Sequence, residues 1–394
     1  MVYPGVGHAY TPEMWRETLQ WFDTRLHPAA KWLPTHLTTR TMKPPRSKSL
    51  FALVALSLAP APSCIAEVNE LAKLAPEVYF HEGDLKARGH CNNGWIIFED
   101  YVLVIDGNFP SGAKEIIPKI KALTDKPIRF AFDTHHHGDH AYGNQVWVEN
   151  GATPVAHVGV IEEMKKYETG RFGDKPGRWE EAAKTRPDVA ASKLKPPTLL
   201  YRTEMIFDDG KHRVELLHFG VAHTHGDGWA WLPNEKILFT GDACVNGPYN
   251  YTGDGNIGDW IKTLDAVKKL GAKTVCPGHG PMGGAELLDD QQAYFAALTE
   301  QVKKLSGKDP AEVKEAVGAI REALQKQERI GRYVGNFLDA QIEKVFVEMG
   351  GKPFLPKTAS VDEHSDHAVA HGTGLQLRPH SAMRSNAAIV RAEK

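Results

Sequence analysis

The sequence is poor in cysteine and has almost no net charge. Four cysteines in 394 residues are too few for a disulfide scaffold. Because 47 basic residues balance 49 acidic ones and no basic stripe is present, nothing indicates a nucleic-acid or strongly anionic partner. Hydrophobic residues make up 42% of the chain and charged residues 24%, which is typical of a globular protein with a full-sized core.

The first 66 residues resemble a secretory signal more than a folded domain. A basic segment after Met42 precedes the apolar run 50–59, and Ala66 is a small residue before a potential cleavage site. We therefore expect residues 42–66 to be a signal peptide and the mature protein to be secreted or periplasmic. We also expect residues 1–41 to come from an over-extended gene model. An apolar linker is the alternative, but the run is too short for a stable membrane anchor.

Beyond this segment, apolar runs alternate between strand-like and helix-like spacing, which predicts an α/β domain. Residues 95–98 and 101–105 predict a hairpin, residues 116–123 a helix, and Ile128–Phe132 a buried strand. A second half repeats this order. Its predicted strands are 205–207, 214–219, Trp229–Leu232, Ile237–Phe239 and Thr274–Cys276, with a helix over 260–270.

The chain becomes helical after Pro281. Residues 287–305, 310–327 and 337–349 predict three amphipathic helices that pack on the α/β domain. We expect domain boundaries at 67–282 for the α/β domain and 283–350 for the helical extension. The polar, histidine-rich tail over 351–394 is expected to be disordered, although metal binding by the tail is an alternative.

A cluster of potential metal ligands directly follows the strand Ile128–Phe132. His135, His137, Asp139 and His140 fall within six residues, and imidazole and carboxylate together suit borderline divalent metals such as zinc. Four such groups fit one ion poorly but can serve two neighbouring ions. A histidine-rich surface loop is the alternative.

Three further candidate ligands also follow apolar strands. They are His223, Asp242 in Thr-Gly-Asp, and His279 in Pro-Gly-His-Gly-Pro. Because loops at strand ends commonly carry catalytic groups on a rigid sheet, we expect all seven side chains to converge. Cys244 lies two residues after Asp242 and is interpreted as a buried strand residue, with metal binding as the alternative.

With these motifs, residues 77–282 resemble the metallo-β-lactamase superfamily of metallohydrolases. The resemblance implies an αββα sandwich with metals at one edge, between the two sheets. It implies that His135, His137 and His223 hold a first zinc, that Asp139, His140 and His279 hold a second, and that Asp242 bridges them. Iron or manganese is possible instead. Asp106, at the end of the early hairpin, would accept a hydrogen bond from a ligand histidine.

Two adjacent cations would deprotonate a shared water near neutral pH and polarise the electrophile. The resemblance therefore implies a periplasmic dinuclear zinc hydrolase that uses a metal-bridging hydroxide on the acyl bond of a small molecule: an ester, thioester, lactone or β-lactam. Asp139 would orient the hydroxide and pass a proton to the leaving group. Tyr249 and Tyr251 could line the groove, one of them as an oxyanion donor; an ordinary loop is the alternative.

Other members of the superfamily supply alternative functions. The best-known secreted β-lactamases carry Cys where Asp242 stands, whereas Asp is the pattern of glyoxalase II-like thioesterases, lactonases and phosphodiesterases. This favours those classes over efficient antibiotic hydrolysis. A persulfide dioxygenase-like oxidoreductase would use His135, His223 and Asp242 as a mononuclear iron site. A non-catalytic binding module is disfavoured because all seven ligands are present.

The stretch between the first cluster and His223 is long, and residues 161–197 (the insertion) account for the excess. It is either a solvated helical insertion or a lid over the metals. Its aromatic residues Tyr167, Phe172 and Trp179 would supply apolar contacts to a substrate. We expect the insertion to shape substrate access without contributing to the metal site.

Overall fold

Two β-sheets pack face to face in the described part of the chain. The computed structural model describes residues 68–356. The predicted start and signal segments, residues 1–41 and 42–66, and the predicted tail beyond Pro356 lie outside this range. Within it, no helix combines the length and the apolar character needed to cross a bilayer.

The first sheet holds seven strands that neighbour one another in chain order. The first four pair antiparallel, and the fourth to the seventh pair parallel. The strands are β1 (Leu71–Ala75), β2 (Val78–His81), β3 (Asn93–Ile97), β4 (Val102–Ile105), β5 (Ile128–Phe132), β6 (Thr153–His157) and β7 (Leu199–Tyr201).

The second sheet holds five strands, again neighbouring one another in chain order. All its pairs are antiparallel except the last two strands, which run parallel. The strands are β8 (Glu204–Asp208), β9 (Arg213–Leu217), β10 (Trp229–Leu232), β11 (Ile237–Phe239) and β12 (Thr274–Cys276).

Strand side chains alternate between the inter-sheet core and the outer faces. In β3, Ile96 lies in the core between the sheets, whereas Trp95 packs in the cluster beneath the outer helices. In β10, Ala230 lies between the sheets and Trp229 packs on the opposite outer side. Each sheet thus buries both faces, which requires a helical layer on each outer side.

Helices supply those outer layers. Pro110–Lys121 and Asn144–Glu149 cover the first sheet. Ile257–Val267 and the extension helices Glu286–Lys303, Pro310–Gln325 and Leu338–Glu348 cover the second. The remaining helices of residues 68–356 are Leu85–Arg88, Gly138–Ala141, Val158–Tyr167, Thr169–Phe172, Arg178–Thr185 and Pro187–Ala190, with 3-10 turns at Gly241–Ala243, Lys268–Leu270 and Gly331–Tyr333. The predicted αββα sandwich with a C-terminal helical extension is confirmed.

Most predicted elements are present with small shifts at their ends. The predicted strand 214–219 ends at Leu217, and the first extension helix ends at Lys303. Four strands of the first sheet (β1, β2, β6 and β7) were not predicted individually. Pro154 lies inside β6, and because proline lacks an amide donor it argues against a central strand.

Candidate metal centre

Parallel pairing brings the first cluster to one edge of the sandwich. Ile105 at the end of β4 pairs with Phe132 at the end of β5, so Asp106 and Thr134 leave the sheet side by side. Asp106 Oδ1 accepts hydrogen bonds from the Thr134 amide at 3.1 Å and hydroxyl at 2.7 Å. This contact fixes the start of the turn that carries His135.

The second sheet delivers its ligands to the same place. β11 and β12 run parallel, with Phe239 opposite Cys276, and Asp242 and His279 follow these two strand ends. Gly278 is required here, because a Cβ on it would lie 2.1 Å from Asp242 Oδ1. The glycine lets the loop that bears His279 approach the aspartate.

Three histidines form one group of potential ligands, His135, His137 and His223 (the histidine triad), whose ring nitrogens lie within 4.8 Å of one another. His223 Nε2 is 2.9 Å from His137 Nδ1. Among residues 68–356, no hydrogen-bond partner meets His135 Nε2, although Thr134 Oγ1 lies 3.1 Å from its Nδ1. A buried imidazole nitrogen that has no hydrogen-bond partner and lies close to two further imidazoles is typical of a metal-ligand set.

A second group holds Asp139, His140 and His279 (the mixed triad). Asp139 Oδ2 lies 3.0 Å from His279 Nε2 and 3.4 Å from His140 Nε2. Asp242 lies between the two triads. Its Oδ1 is 3.3 Å from His140 Nε2, and its Oδ2 is 3.3 Å from His279 Nε2 and 3.8 Å from His223 Nε2. The structure therefore brings all seven predicted side chains together.

Burial and charge give the two triads different protonation behaviour. Burial lowers the pKa of His223 to about 4, and burial with neighbouring imidazoles lowers the pKa values of His135 and His137. Although burial opposes it, Asp242 and Asp139 raise the pKa of His279 to about 9. The histidine triad is therefore neutral and ready to bind a cation.

In the mixed triad, the neighbouring acidic groups raise the pKa values of both histidines. Although burial opposes it, Cys91, Asp139, Asp106 and Asp242 raise the pKa of His140 well above its ordinary value. All seven side chains are at most 3% exposed. Two carboxylates and five imidazoles in so small a buried volume fit a pair of divalent cations.

Each of three ligand histidines is also held through its other ring nitrogen. Asp106 Oδ2 lies 3.1 Å from His140 Nδ1, Asp254 Oδ2 lies 2.9 Å from His137 Nε2, and the Tyr251 carbonyl lies 2.9 Å from His223 Nδ1. Such partners fix the ring orientation of metal-binding histidines. Asp106 thus occupies the place expected for it.

Four residues at the site were not predicted from the sequence. The first two are Asp254 and Arg178. The Asp254 carboxylate accepts hydrogen bonds from His137 and from Arg178, which lies in the insertion. The Cys91 thiol lies within 4.8 Å of Asp106 and His140. The side-chain amide of Asn92 donates hydrogen bonds of 2.8 Å to the carbonyls of Pro277 and Gly280, on either side of His279. Asp254 lies in a glycine-rich turn, and the other three are single residues with no motif to mark them.

The insertion is helical and contacts the site. The two terminal guanidinium nitrogens of Arg178 donate hydrogen bonds to the two carboxylate oxygens of Asp254, at 2.7 and 3.1 Å. The Tyr167 ring stacks on His136 with centroids 5.2 Å apart. No residue of the insertion belongs to a potential ligand group among the described residues, but Arg178 holds the carboxylate that contacts His137. Trp179 packs in a core cluster with Tyr142 and is only 8% exposed, whereas Phe172 is exposed.

The predicted groove residues lie beside the triads. The Tyr249 ring is 6.1 Å from the His279 ring, and the Tyr251 ring is 5.7 Å from the His137 ring. Cys244 is fully buried in the apolar cluster under the extension. Its predicted burial is therefore confirmed. The predicted position in a strand is not, because Cys244 directly follows a 3-10 turn.

Comparisons with known proteins agree with this geometry. Residues 87–279 match the model of the metallo-beta-lactamase superfamily. A metallo-beta-lactamase type 2 of Bacteroides fragilis is 36% identical over 98 residues, which are 23% of this chain and 39% of that protein. One of Pseudomonas aeruginosa is 35% identical over 82 residues, 20% of this chain and 32% of that protein.

The matched stretch is thus less than half the length of each of these relatives. Among solved structures, a metallo-beta-lactamase from Pontibacter korlensis is similar with 19% identity and a TM-score of 0.48, over 58% of this chain and 98% of that one.

Proposed function

We propose, from the premise that residues 87–279 belong to the metallo-β-lactamase superfamily, that this protein is a dinuclear zinc hydrolase of acyl bonds. The observation that carries the proposal is the position of Asp242. Its two carboxylate oxygens face both triads, at 3.3 Å from His140 and His279 and at 3.8 Å from His223. A carboxylate so placed can be shared by two cations.

The histidine triad would hold one cation and the mixed triad the other, with Asp242 common to both. When bound, the cations lower the pKa of a water and polarise the electrophile. Zinc is proposed because imidazole and carboxylate ligands suit it, while iron and manganese accept the same donors.

The protein's own residues would position the reactants and move the proton. Asp139 Oδ2 lies 3.0 Å from His279 Nε2 and is the carboxylate we assign to take up a proton and return it to the leaving group. Tyr249 and Tyr251, next to His279 and His137, are the proposed rim that orients the substrate carbonyl.

We propose a small-molecule ester, thioester or lactone as the substrate class. Asp242 at the shared position supports this class, because an aspartate there resembles thioesterases and lactonases. A β-lactam stays a candidate, because two relatives are named metallo-beta-lactamases. We further propose that the protein acts after export, for which the signal-like composition of residues 42–66 is the support.

The test combines metal analysis with a substrate panel on the full chain purified aerobically. The panel holds a cephalosporin chromophore, a lactone, a thioester and a phosphodiester. We expect two equivalents of zinc and turnover of at least one acyl substrate. A single equivalent of iron without hydrolysis would favour the persulfide dioxygenase-like alternative, and turnover of the phosphodiester alone would favour a phosphodiesterase.

A further inference from the structure

The extension reaches the metal centre through the loop 247–251 (the tyrosine loop). Two buried glutamines on different extension helices donate hydrogen bonds to Asn250 of this loop. Gln291 of Glu286–Lys303 donates to the Asn250 side-chain oxygen, and Gln341 of Leu338–Glu348 donates to the Asn250 carbonyl at 2.5 Å. Both glutamines are at most 1% exposed.

The orientation of the Gln341 amide is fixed by a third residue. The Tyr294 hydroxyl donates to Gln341 Oε1, so the amide nitrogen is the end that faces Asn250. A buried amide with its oxygen and nitrogen both engaged is costly to reorient. The Asn250 carbonyl is therefore held in one position by two helices of the extension.

The residue after Asn250 carries this constraint to the histidine triad. The Tyr251 carbonyl lies 2.9 Å from His223 Nδ1. A carbonyl can only accept, so Nδ1 carries the proton and the lone pair of His223 lies on Nε2, the nitrogen on the side of the histidine triad. That Nε2 lies 2.9 Å from His137 Nδ1 and 3.8 Å from Asp242.

A second contact joins the extension to the same place. The Phe337 ring packs edge-on against the Tyr251 ring, with centroids 6.0 Å apart. The Tyr251 ring also meets the His137 ring at 5.7 Å and the His223 ring at 6.2 Å. A Cβ on Gly335 would lie 2.7 Å from Pro248, so the extension and the tyrosine loop also pack tightly at Pro248.

We propose that Gln341 and Gln291 are positioning residues for the first metal: through Asn250 and the Tyr251 carbonyl, they set the tautomer and direction of His223. This inference rests on the proposed function, because it takes the histidine triad as a metal site. It assigns to the extension, which lies outside the matched residues 87–279, a part in metal binding that the superfamily domain alone does not contain.

The test compares Gln341→Met and Gln291→Met with Gln292→Met in the full chain. Gln292 is the matched control, because it lies on the same helix as Gln291 but bonds the Ile261 carbonyl and Asp265, away from the tyrosine loop. Zinc affinity is measured by chelator competition, and thermal unfolding of the metal-free protein reports folding separately. Tyr294→Phe is a milder variant if Gln341→Met does not fold. It removes the hydroxyl that bonds Gln341 Oε1 and keeps the aromatic ring of residue 294.

We expect Gln341→Met to weaken binding of the zinc held by the histidine triad by about tenfold or more, as loss of a ligand's partner typically does. The metal-free variant should unfold at a temperature close to that of Gln292→Met. We expect a smaller loss for Tyr294→Phe. Two zinc ions bound by the wild type with unchanged affinity in Gln341→Met would overturn this inference and leave the proposed function intact. A wild type that binds no zinc would overturn the proposed function itself, and the inference with it.

Discussion

Asp242 is enclosed between two sets of histidines and is only 2% exposed. Although burial opposes it, His279 and His140 hold the pKa of its carboxyl well below the usual range. The residue is thus a permanent negative charge at a point where buried cations are expected, and the charge balance of the site depends on it.

We predict that Asp242→Ala lowers zinc content from two equivalents to one or fewer and abolishes turnover. The substitution removes a ligand position and a charge that two cations would share. Metal analysis after dialysis measures the loss, and Asp188→Asn is the control, because Asp188 bonds Ser111 and Arg186 away from the triads. Two retained zinc ions and normal turnover in Asp242→Ala would show that the ligand assignment is wrong.

Arg178 and Asp254 form a buried ion pair next to His137. Burial opposes ionisation of Asp254, yet His136, His137 and Arg178 hold the pKa of its carboxyl far below the usual range. Arg178 also lies over the Tyr167 ring, 3.8 Å from its centroid. The guanidinium is therefore the permanent counter-charge of the carboxylate that orients a ligand.

We predict that Arg178→Leu lowers the free energy of unfolding by about 3 kcal/mol, because it leaves a buried carboxylate without its permanent counter-charge. Arg178→Lys should recover only part of this, since an ammonium cannot bind both oxygens in the same way. Urea unfolding at pH 7 measures both. Lys184→Ala, which breaks an exposed pair with Glu181 in the same helix, should leave stability unchanged; an Arg178→Leu variant as stable as that control would contradict the prediction.

The sequence predicts ligands and misses the residues that hold them. The seven ligands belong to compact motifs at strand ends, so their identity and placement follow from local pattern. Asn92 and Asp254 have no such pattern. Asn92 bonds a carbonyl 185 positions away, and its role exists only once the two sheets have packed.

At the scale of helices and strands, continuous apolar runs predict the central strands well, because a strand that is buried on both faces carries few polar residues. Elements outside that pattern are the ones missed. β6 contains Pro154, and the insertion is formed largely by the short helices from Val158–Tyr167 to Pro187–Ala190. Their conformation depends more on buried polar contacts than on the spacing of apolar residues along the sequence. Glu168, at the end of the first of these helices, is an example.

Glu168 is a buried acid that gives this segment a pH dependence. It accepts hydrogen bonds from the Tyr142 hydroxyl and from the Trp179 amide, yet burial raises its pKa to about 7. The folded protein therefore favours the protonated form. The stabilisation from Glu168 is full below its unfolded pKa of about 4.3 and is lost as the pH rises through about 7.

We predict that Glu168→Gln, which mimics the protonated acid, gains stability relative to the wild type by about 3 kcal/mol between pH 4 and pH 8. The difference between the two unfolding free energies is the measurement, because histidines common to both proteins cancel. Glu181→Gln, at an exposed position of the same segment, should show no such trend. A pH-independent difference for Glu168→Gln would mean that folding does not raise the pKa of Glu168.

At the scale of the whole molecule, the described residues form three apolar layers. One lies between the sheets, one beneath the helices of the first sheet, and one between the second sheet and the extension. The third layer combines Trp229 of β10, Trp260 of Ile257–Val267 and Phe295 of the extension, with the Trp260 and Phe295 rings 4.6 Å apart. The extension thus completes a core and is not a separate appendage.

This packing predicts that the α/β domain does not fold alone at the boundary expected from the sequence. A chain ending at Met282 exposes Trp229, Trp260 and their neighbours, and each large side chain returned to water costs about 1.5–3 kcal/mol. A few such losses equal the whole stability of a typical domain, about 5–15 kcal/mol. We therefore expect this chain to be insoluble, or to unfold without cooperativity and bind a hydrophobic dye.

The control is a chain that ends at Pro356 and so keeps every described residue of the extension. It should unfold in one cooperative transition, with the zinc content of the full chain. If the chain ending at Met282 instead folds cooperatively and binds two zinc ions, the extension is dispensable for the core. The hydrogen bonds from Gln291 and Gln341 to Asn250 would then be unnecessary for the metal centre as well.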